Sequence, residues 1–168
     1  MHLEDTPTQS ASEGATLIYL MLADRPGVFA AIVTSLSKLN LSIVDASIHT
    51  SASGQCFNTL TVLNHAGEAI AEHDSLRQRI RGSLRKSLSD ETLDTAGEER
   101  RVSRQLRELP WPTEVEVTTE DNLTTISILA ADRPGLLAHL GVLFVEMKLT
   151  LRSARITTLG AVSYTHLT

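Results

Sequence analysis

The sequence predicts an α+β fold built from two similar halves, each a small sheet covered by helices. The pentapeptide ADRPG occurs at 23–27 and again at 131–135. Each copy follows an aliphatic run that is typical of a buried strand, and each precedes apolar residues spaced three and four apart, which is typical of an amphipathic helix. Because turn, helix and strand patterns repeat at one fixed offset of 108 residues, from Asp24 to Asp132, they indicate an internal duplication.

Composition narrows the class of protein. The 168 residues are 42% hydrophobic and 4% aromatic, which predicts a globular chain with an aliphatic core. A formal net charge of −5 argues against a nucleic-acid partner. The single cysteine, Cys56, cannot form an intramolecular disulfide, and the longest apolar run, 17–23, is too short to span a bilayer. We therefore expect a cytoplasmic protein without a membrane partner.

The first half is predicted from residue 15 onward, after a polar and disordered leader at 1–14. A strand over 16–23 leads through the turn into a helix that ends near Asn40. Two further strands, over 41–49 and 57–63, form a predicted hairpin. The apolar stripe of the helix consists of Val28, Phe29, Ile32, Val33, Leu36 and Leu39.

The rest of this half consists of a second amphipathic helix over about 75–88 and an inserted helix over 99–109. A strand over 113–119 follows, in which Val115 and Val117 alternate with glutamates, so we expect it to be half-buried. This strand would complete a β-α-β-β-α-β order. We therefore expect the first domain to span 15–120.

The second half, over 123–160, repeats the first strand, the turn, the first helix and the second strand. Residues 161–168 do not continue the pattern. The place of the third strand, between the first and the second, would then be empty, and unpaired buried amides are costly. We expect a partial second domain that is frayed or is completed by another chain.

The repeated turn has residue types that suit both a helix start and a ligand. Proline presets the backbone for a first helical turn, and Asp24 and Asp132 are expected to accept hydrogen bonds from the first helix amides. Gly27 and Gly135 lack a Cβ, so a ligand could approach helix amides that suit a carboxylate. A plain cap and turn would also explain the motif without any ligand.

The order of strand, DRPG turn, helix, two strands, helix and strand resembles the ACT domain, a ferredoxin-like regulatory module that binds amino acids in pairs. Three segments, LNLSIVDASIHTSASGQCFNTLTVLNHAGEAI, RRVSRQLRELPWPTEV and DRPGLLAHLGVLFVEMKLTLRSARITTLG, are similar to the C-terminal tandem ACT region of the bifunctional uridylyltransferase/uridylyl-removing enzymes. The likeness runs from about residue 15 to residue 160. It implies ferredoxin-like βαββαβ ACT domains in tandem, the second truncated.

The resemblance implies an L-glutamine sensor that shifts such enzymes from adding to removing uridylyl groups on the PII signalling protein. It implies as partners L-glutamine or another amino acid, the catalytic domains with their Mg, the PII protein, and a second copy paired through sheet edges. No cofactor, metal ligand or catalytic residue is expected on this chain. The alternative is a free-standing two-ACT interaction module of the glycine-cleavage-repressor type.

Carried over by position, the resemblance implies one ligand site in each half. Because Lys148 stands where Asn40 does, the two sites should differ, and the first should bind more tightly. The first site would use Asp24, Gly27, Asn40 and Leu41, and the second Asp132, Gly135, Lys148 and Leu149.

Other chemical signals are weak. The dipeptide His73-Asp74 has the letters of a metal-dependent phosphohydrolase site but no further ligands at a matching spacing, and the other histidines are expected on the surface or in turns. The basic residues of the second helix are expected to form a solvated face, with contact to an acidic partner as the alternative. They are Arg77, Arg79, Arg81, Arg85 and Lys86.

Overall fold

The computed structural model describes residues 14–70, 75–89, 113–159 and 162–168. Its strands are β1 (Thr16–Ala23), β2 (Ser42–Thr50), β3 (Gln55–Leu63), β4 (Glu114–Glu120), β5 (Leu123–Ala131), β6 (Ser153–Leu159) and β7 (Val162–Leu167). Its helices are α1 (Val28–Lys38), α2 (Ser75–Ser89) and α3 (Leu136–Glu146). The predicted α+β class is confirmed. Residues 1–13 of the predicted leader and the predicted helix at 99–109 lie outside the described residues.

The strands form one antiparallel sheet in the order β1-β3-β2-β6-β7-β5-β4. In the first half β3 lies between β1 and β2, and in the second half β7 lies between β5 and β6. Each half is therefore a β-α-β-β unit of the ferredoxin-like kind. Pairing of β2 with β6 joins the two halves into one sheet.

Helix α1 lies at the centre of the core. It packs against α2 on one side and α3 on the other. Every residue from Val28 to Leu36 is buried, whereas α3 buries only Leu136 and Gly141. The strands contribute alternate residues, such as Ile18 and Leu20 of β1, to the same apolar cluster. Five of the six residues of the predicted apolar stripe are therefore buried, and the sixth, Leu39, is partly buried at the C-cap.

The expectation that β4 completes the first half is wrong. β4 pairs with β5 along its whole length, from Glu114 opposite Leu129 to Glu120 opposite Leu123. The connecting residues Asp121 and Asn122 have φ of 48° and 64°. Two consecutive positive φ values match the twist of a tight hairpin, and such a short loop costs less entropy to close than a return to β1. Residues 114–120 therefore belong to the second half of the molecule, as the edge strand of the common sheet.

The predicted half-burial of β4 is also wrong. The side chains of Val115 and Val117 are 57% and 60% exposed. β4 is an edge strand, and no helix of the described residues covers this edge of the sheet. The alternation of valine with glutamate therefore predicts the strand correctly but not its environment.

The third-strand position of the second half is occupied, contrary to expectation. β7 pairs with β5 on one side and with β6 on the other. Ser163, Thr165 and Leu167 are buried on the face that carries the core. Because β7 follows β6 directly, a local hairpin supplies the missing partner, and the backbone groups of β5 and β6 pair within the chain. The predicted fraying, or completion by another chain, is not observed.

Within the part of the chain that the structure describes, no helix has the length and apolar character needed to cross a membrane.

Gly141 sets the distance between α1 and α3. A Cβ built at this glycine would lie 2.8 Å from Ala30 Cα, 3.2 Å from Ala30 Cβ and 3.2 Å from Val33 Cγ2. The first of these atoms belongs to the backbone of α1, so it cannot give way by a side-chain rotation. The two helices can approach this closely only because residue 141 has no side chain.

We expect Gly141→Ala to lower the free energy of unfolding by about 1–3 kcal/mol, because the added methyl group forces the helices apart. The matched control is Gly82→Ala in α2, where an added Cβ meets no atom within 4 Å. This control should raise the free energy of unfolding by up to about 1 kcal/mol. Urea denaturation of both variants measures the difference, and equal effects would contradict the close contact.

Candidate functional site

The two DRPG turns have the same backbone. Gly27 and Gly135 both have φ 84° and ψ 0°, a left-handed conformation that favours glycine, and both are the N-cap residues of their helices. The first helical amides, of Val28 and Leu136, donate to the carbonyl oxygens of Arg25 and Arg133 at 3.3 Å and 3.1 Å. The repeated sequence therefore builds the same helix entry twice.

The expected capping role of the two aspartates is wrong. Neither α1 nor α3 has a side-chain hydrogen bond at its N-cap. Arginine and proline separate each aspartate from the glycine N-cap, so its carboxylate does not occupy the capping position. Asp24 instead donates its backbone N–H to the carbonyl oxygen of Gly54 at 2.8 Å.

The opposite ends of the two helices are also alike. Asn40 and Lys148 have φ of 61° and 56°. The amides of Leu41 and Leu149 donate to carbonyl oxygens five residues back, at 3.2 Å and 2.8 Å. This is the Schellman arrangement, in which a left-handed residue ends the helix and orphan carbonyls are paired.

The four residues assigned to each site do not meet within one half. Helix α1 has eleven residues and is therefore about 16 Å long, with Asp24 and Gly27 before its start and Asn40 and Leu41 after its end. A small molecule cannot contact both ends. Assignment of one complete site to each half is therefore wrong.

The pairing of the halves brings the predicted residues together in a different combination. The first pocket combines Asp24 and Gly27 of the first turn with Leu149 from the second half. The second pocket combines Asp132 and Gly135 of the second turn with Asn40 and Leu41 from the first half. Seven of the eight predicted residues thus line one of two pockets between the halves, and Lys148 lines neither.

The two pockets differ greatly in size. The second pocket has a volume of about 490 Å³, and the first has about 30 Å³. The two sites were expected to differ, and their volumes do differ. The larger volume belongs to the second pocket, although the first site was expected to bind more tightly.

Side chains on α1 and α3 explain the difference. In the first pocket the rings of Phe29 and Phe144 lie with centroids 6.3 Å apart, and Gly141 lets α3 approach Ala30. In the second pocket Leu137 stands in place of Phe29, and Val33 in place of Gly141. The two phenylalanine rings fill the first pocket, whereas the smaller Leu137 leaves more of the second pocket unfilled.

The second pocket has polar groups suited to a zwitterion. Ser37, Asn40, His65, Asp132 and Arg133 line it together with apolar residues of both helices. Burial raises the pKa of the Asp132 carboxyl above its ordinary value of 3.8, and a hydrogen bond from the Arg133 backbone acts in the opposite direction. The site therefore contains a partly desolvated carboxylate beside the start of a helix.

Three of these residues were not predicted from the sequence as site residues: Ser37, His65 and Arg133, which belongs to the second turn. Ser37 lies on the polar side of α1, and His65 lies in the turn after β3, which Asn64 stabilises by accepting hydrogen bonds from the amides of Ala66 and Glu68 at 2.8 Å and 3.0 Å. Both reach the second pocket only because the halves pair. No signal local to the sequence of either residue indicates this.

The first pocket has a polar floor that was also missed. Asn58 and Cys56 lie on β3 facing the helices, and each is 2% exposed. The carboxamide of Asn58 was not recognised, because the alternation of β3 predicts only that this position faces the core.

The remaining signals predicted from the sequence give no metal site among the described residues. No three histidine, cysteine or acidic side chains of the described residues stand close enough to hold a metal ion. His73 and Asp74 lie outside the described residues. On α2, four residues of the predicted solvated face are exposed: Arg79, Arg81, Arg85 and Lys86. Arg77 is instead half-buried, and its guanidinium donates to the carbonyl oxygen of Ile70 at 3.0 Å.

Comparisons with known proteins agree with the resemblance. The chain is 38% identical over 155 residues to the bifunctional uridylyltransferase/uridylyl-removing enzyme of Pseudomonas putida, and 37% identical to that of Pseudomonas syringae pv. tomato. In both cases the match covers 91% of this chain and 17% of the relative, so the likeness is to a segment of those enzymes. No protein-family model matches the chain. Among solved structures, aspartate kinase from Synechocystis has a TM-score of 0.47 and 16% identity, covering 96% of this chain and 26% of that one.

The raised pKa of Asp132 leads to a pH dependence of stability. Because the folded state holds this proton more tightly than the unfolded state, the contribution of Asp132 is fully present below pH 3.8. It is lost as the pH rises through the raised folded-state pKa. In Asp132→Asn the side chain is uncharged at every pH, so this decrease in the free energy of unfolding does not occur.

We therefore compare the free energy of unfolding of Asp132→Asn with that of the unsubstituted chain. The value for the variant minus the value for the unsubstituted chain should increase from pH 3.8 to the raised pKa of Asp132 and then level off. Urea denaturation at a series of pH values measures the difference. A difference that does not vary with pH would show that Asp132 is not desolvated.

Proposed function

We propose that this chain is an amino-acid-sensing regulatory region of a uridylyltransferase/uridylyl-removing enzyme and that it binds L-glutamine in the second pocket. The observation that carries the proposal is a pocket of about 490 Å³ at the junction of a glycine turn, a helix start and the neighbouring half. Similarity to a segment of the Pseudomonas enzymes supports the assignment to that class of protein.

In this proposal the amino acid spans the gap between the two halves. Its α-carboxylate lies at the start of α3, where Leu137 and Ala138 line the pocket and helix amides favour an anion. Its α-ammonium lies beside Asp132, whose charged form is disfavoured by burial and is favoured again by a nearby cation. The side chain points toward Ser37 and Asn40 of the first half.

The regulatory step follows from the position of the pocket. Residues from the end of α1 and from the start of α3 form its two sides, so a bound amino acid fixes the halves relative to each other. The names of the relatives state that those enzymes add and remove uridylyl groups. We infer that the ordered pair biases attached catalytic domains between these two reactions on the PII protein.

Calorimetric titration with L-glutamine, with glycine and L-glutamate as controls, tests the binding step. We expect saturable L-glutamine binding that Gly135→Val weakens at least about tenfold, because the new side chain fills the pocket beside Ser37 and His139.

The matched control is Gly54→Val in the hairpin between β2 and β3. Gly54 also has a positive φ, of 77°, and an added Cβ there meets no atom within 4 Å. The two variants share the cost of backbone strain, but only Gly135 lines the second pocket. Equal losses of binding in both variants, or a folded chain that binds no amino acid, would contradict the proposal.

A further inference from the structure

We propose that Asn58 determines specificity in the first pocket, where its carboxamide recognises the side-chain carboxamide of a bound amino acid. The pocket is closed in this structure and opens when Phe29 and Phe144 separate. The inference rests on the proposed amino-acid-sensing function. It concerns the first pocket, whereas the binding proposed above takes place in the second pocket.

Asn58 is an unusual residue for its position. It is 2% exposed on the core face of β3, where its neighbours two and four residues on are Leu60 and Val62. A carboxamide has two N–H donors and an oxygen that can accept two hydrogen bonds. Among the described residues, this side chain has hydrogen-bond contacts only with the sulfur of Cys56.

Those contacts are weak. Asn58 Nδ2 lies 3.4 Å from Cys56 Sγ, and Sγ lies 3.7 Å from Asn58 Oδ1. Sulfur is a poor donor and a poor acceptor, so most of the hydrogen-bonding capacity of the amide is unused. Burying such a group is unfavourable, and packing alone does not account for an asparagine here.

The unused amide faces a cavity that ends at the first DRPG turn. Asn58 and Cys56 line the first pocket together with Asp24 and Gly27. A ligand whose α-carboxylate lies at the start of α1 therefore directs its side chain toward β3. Two carboxamides can exchange a pair of hydrogen bonds, each group donating one and accepting one. A carboxylate in the same place offers only acceptors, so one oxygen faces Asn58 Oδ1 without a proton between them.

Closure of the pocket sets the apparent affinity. Its volume of about 30 Å³ holds about one water molecule and no amino acid. Phe144 lies on α3 at the rim and is partly exposed, so its ring can move without unfolding the core. The apparent affinity then equals the intrinsic affinity multiplied by the fraction of open molecules.

The second pocket does not share this floor. In the sheet, Leu20 pairs with Asn58 and the equivalent Ile128 pairs with Thr165. Thr165 is buried but does not line the second pocket. The buried carboxamide of Asn58 is therefore a feature of the first pocket and has no counterpart in the lining of the second.

Cys56 provides a reporter for this pocket. It is the only cysteine of the chain and lies beside Asn58 on the floor, so modification of one thiol by N-ethylmaleimide measures how often the pocket opens. We expect L-glutamine to slow the modification of Cys56 at least about tenfold more than L-glutamate does. Phe144→Ala should accelerate it without ligand, because the ring no longer covers the floor.

The decisive variant is Asn58→Leu, which removes the carboxamide and keeps the number and branching of the side-chain heavy atoms. We expect it to abolish the difference between L-glutamine and L-glutamate in the protection of Cys56. The matched control, Gln78→Leu, removes an exposed carboxamide on α2 and should behave like the unsubstituted chain. If Asn58→Leu does not fold, Asn58→Thr replaces it, since threonine occupies the equivalent position in β7.

Three results would overturn the inference, and they distinguish its failure from a failure of the proposed function. If calorimetry detects L-glutamine while Cys56 is unprotected, or if Asn58→Leu keeps the preference for L-glutamine, the role of Asn58 fails and the proposed function stands. If neither the unsubstituted chain nor Phe144→Ala binds any amino acid, both fail together.

Discussion

The antiparallel pairing of β2 with β6 is the constraint on which the rest of the molecule depends. It runs from Asp45 opposite Thr157 to His49 opposite Ser153, and Thr157 Oγ1 adds a hydrogen bond to Asp45 Oδ1 at 3.2 Å. Because the two strands run in opposite directions, the helices in front of them do as well. The start of each helix then lies beside the end of the other, and both pockets form at these two junctions.

The same backbone yields two different pockets because a few side chains differ. The turns have identical dihedral angles at their glycines, and both helices end in the same hydrogen-bond arrangement. What differs is the packing between α1 and α3. Phe29 and Phe144 pack together at one junction, whereas the smaller Leu137 stands in place of Phe29 at the other. Since protein interiors are close-packed, one side chain between two helices decides whether a cavity remains.

The sequence predicts what depends on neighbours along the chain. The strand at 16–23, the stripe of α1, and the glycine at each helix start follow from periodicity and turn chemistry. Placement of β4 depends on the dihedral angles of Asp121 and Asn122 and on competition between two sheet edges, neither of which an apolar pattern encodes. The residues of each pocket come from both halves. The sequence repeat instead suggests that each half contains a complete site, so it assigns residues to the wrong partners. Asn58 has no signature at all, because its role depends on a cavity.

A shared interface between the pockets has a thermodynamic consequence. The first pocket can open only if α1 and α3 separate, or if Phe144 turns, at the junction where Gly141 holds them together. The second pocket lies at the other end of the same two helices, so a ligand there that fixes their spacing also changes the free energy of opening at the first. Linkage requires the reverse effect to have the same size. If both pockets bind amino acids as proposed, they act on one shared helix–helix contact and are not two independent sensors.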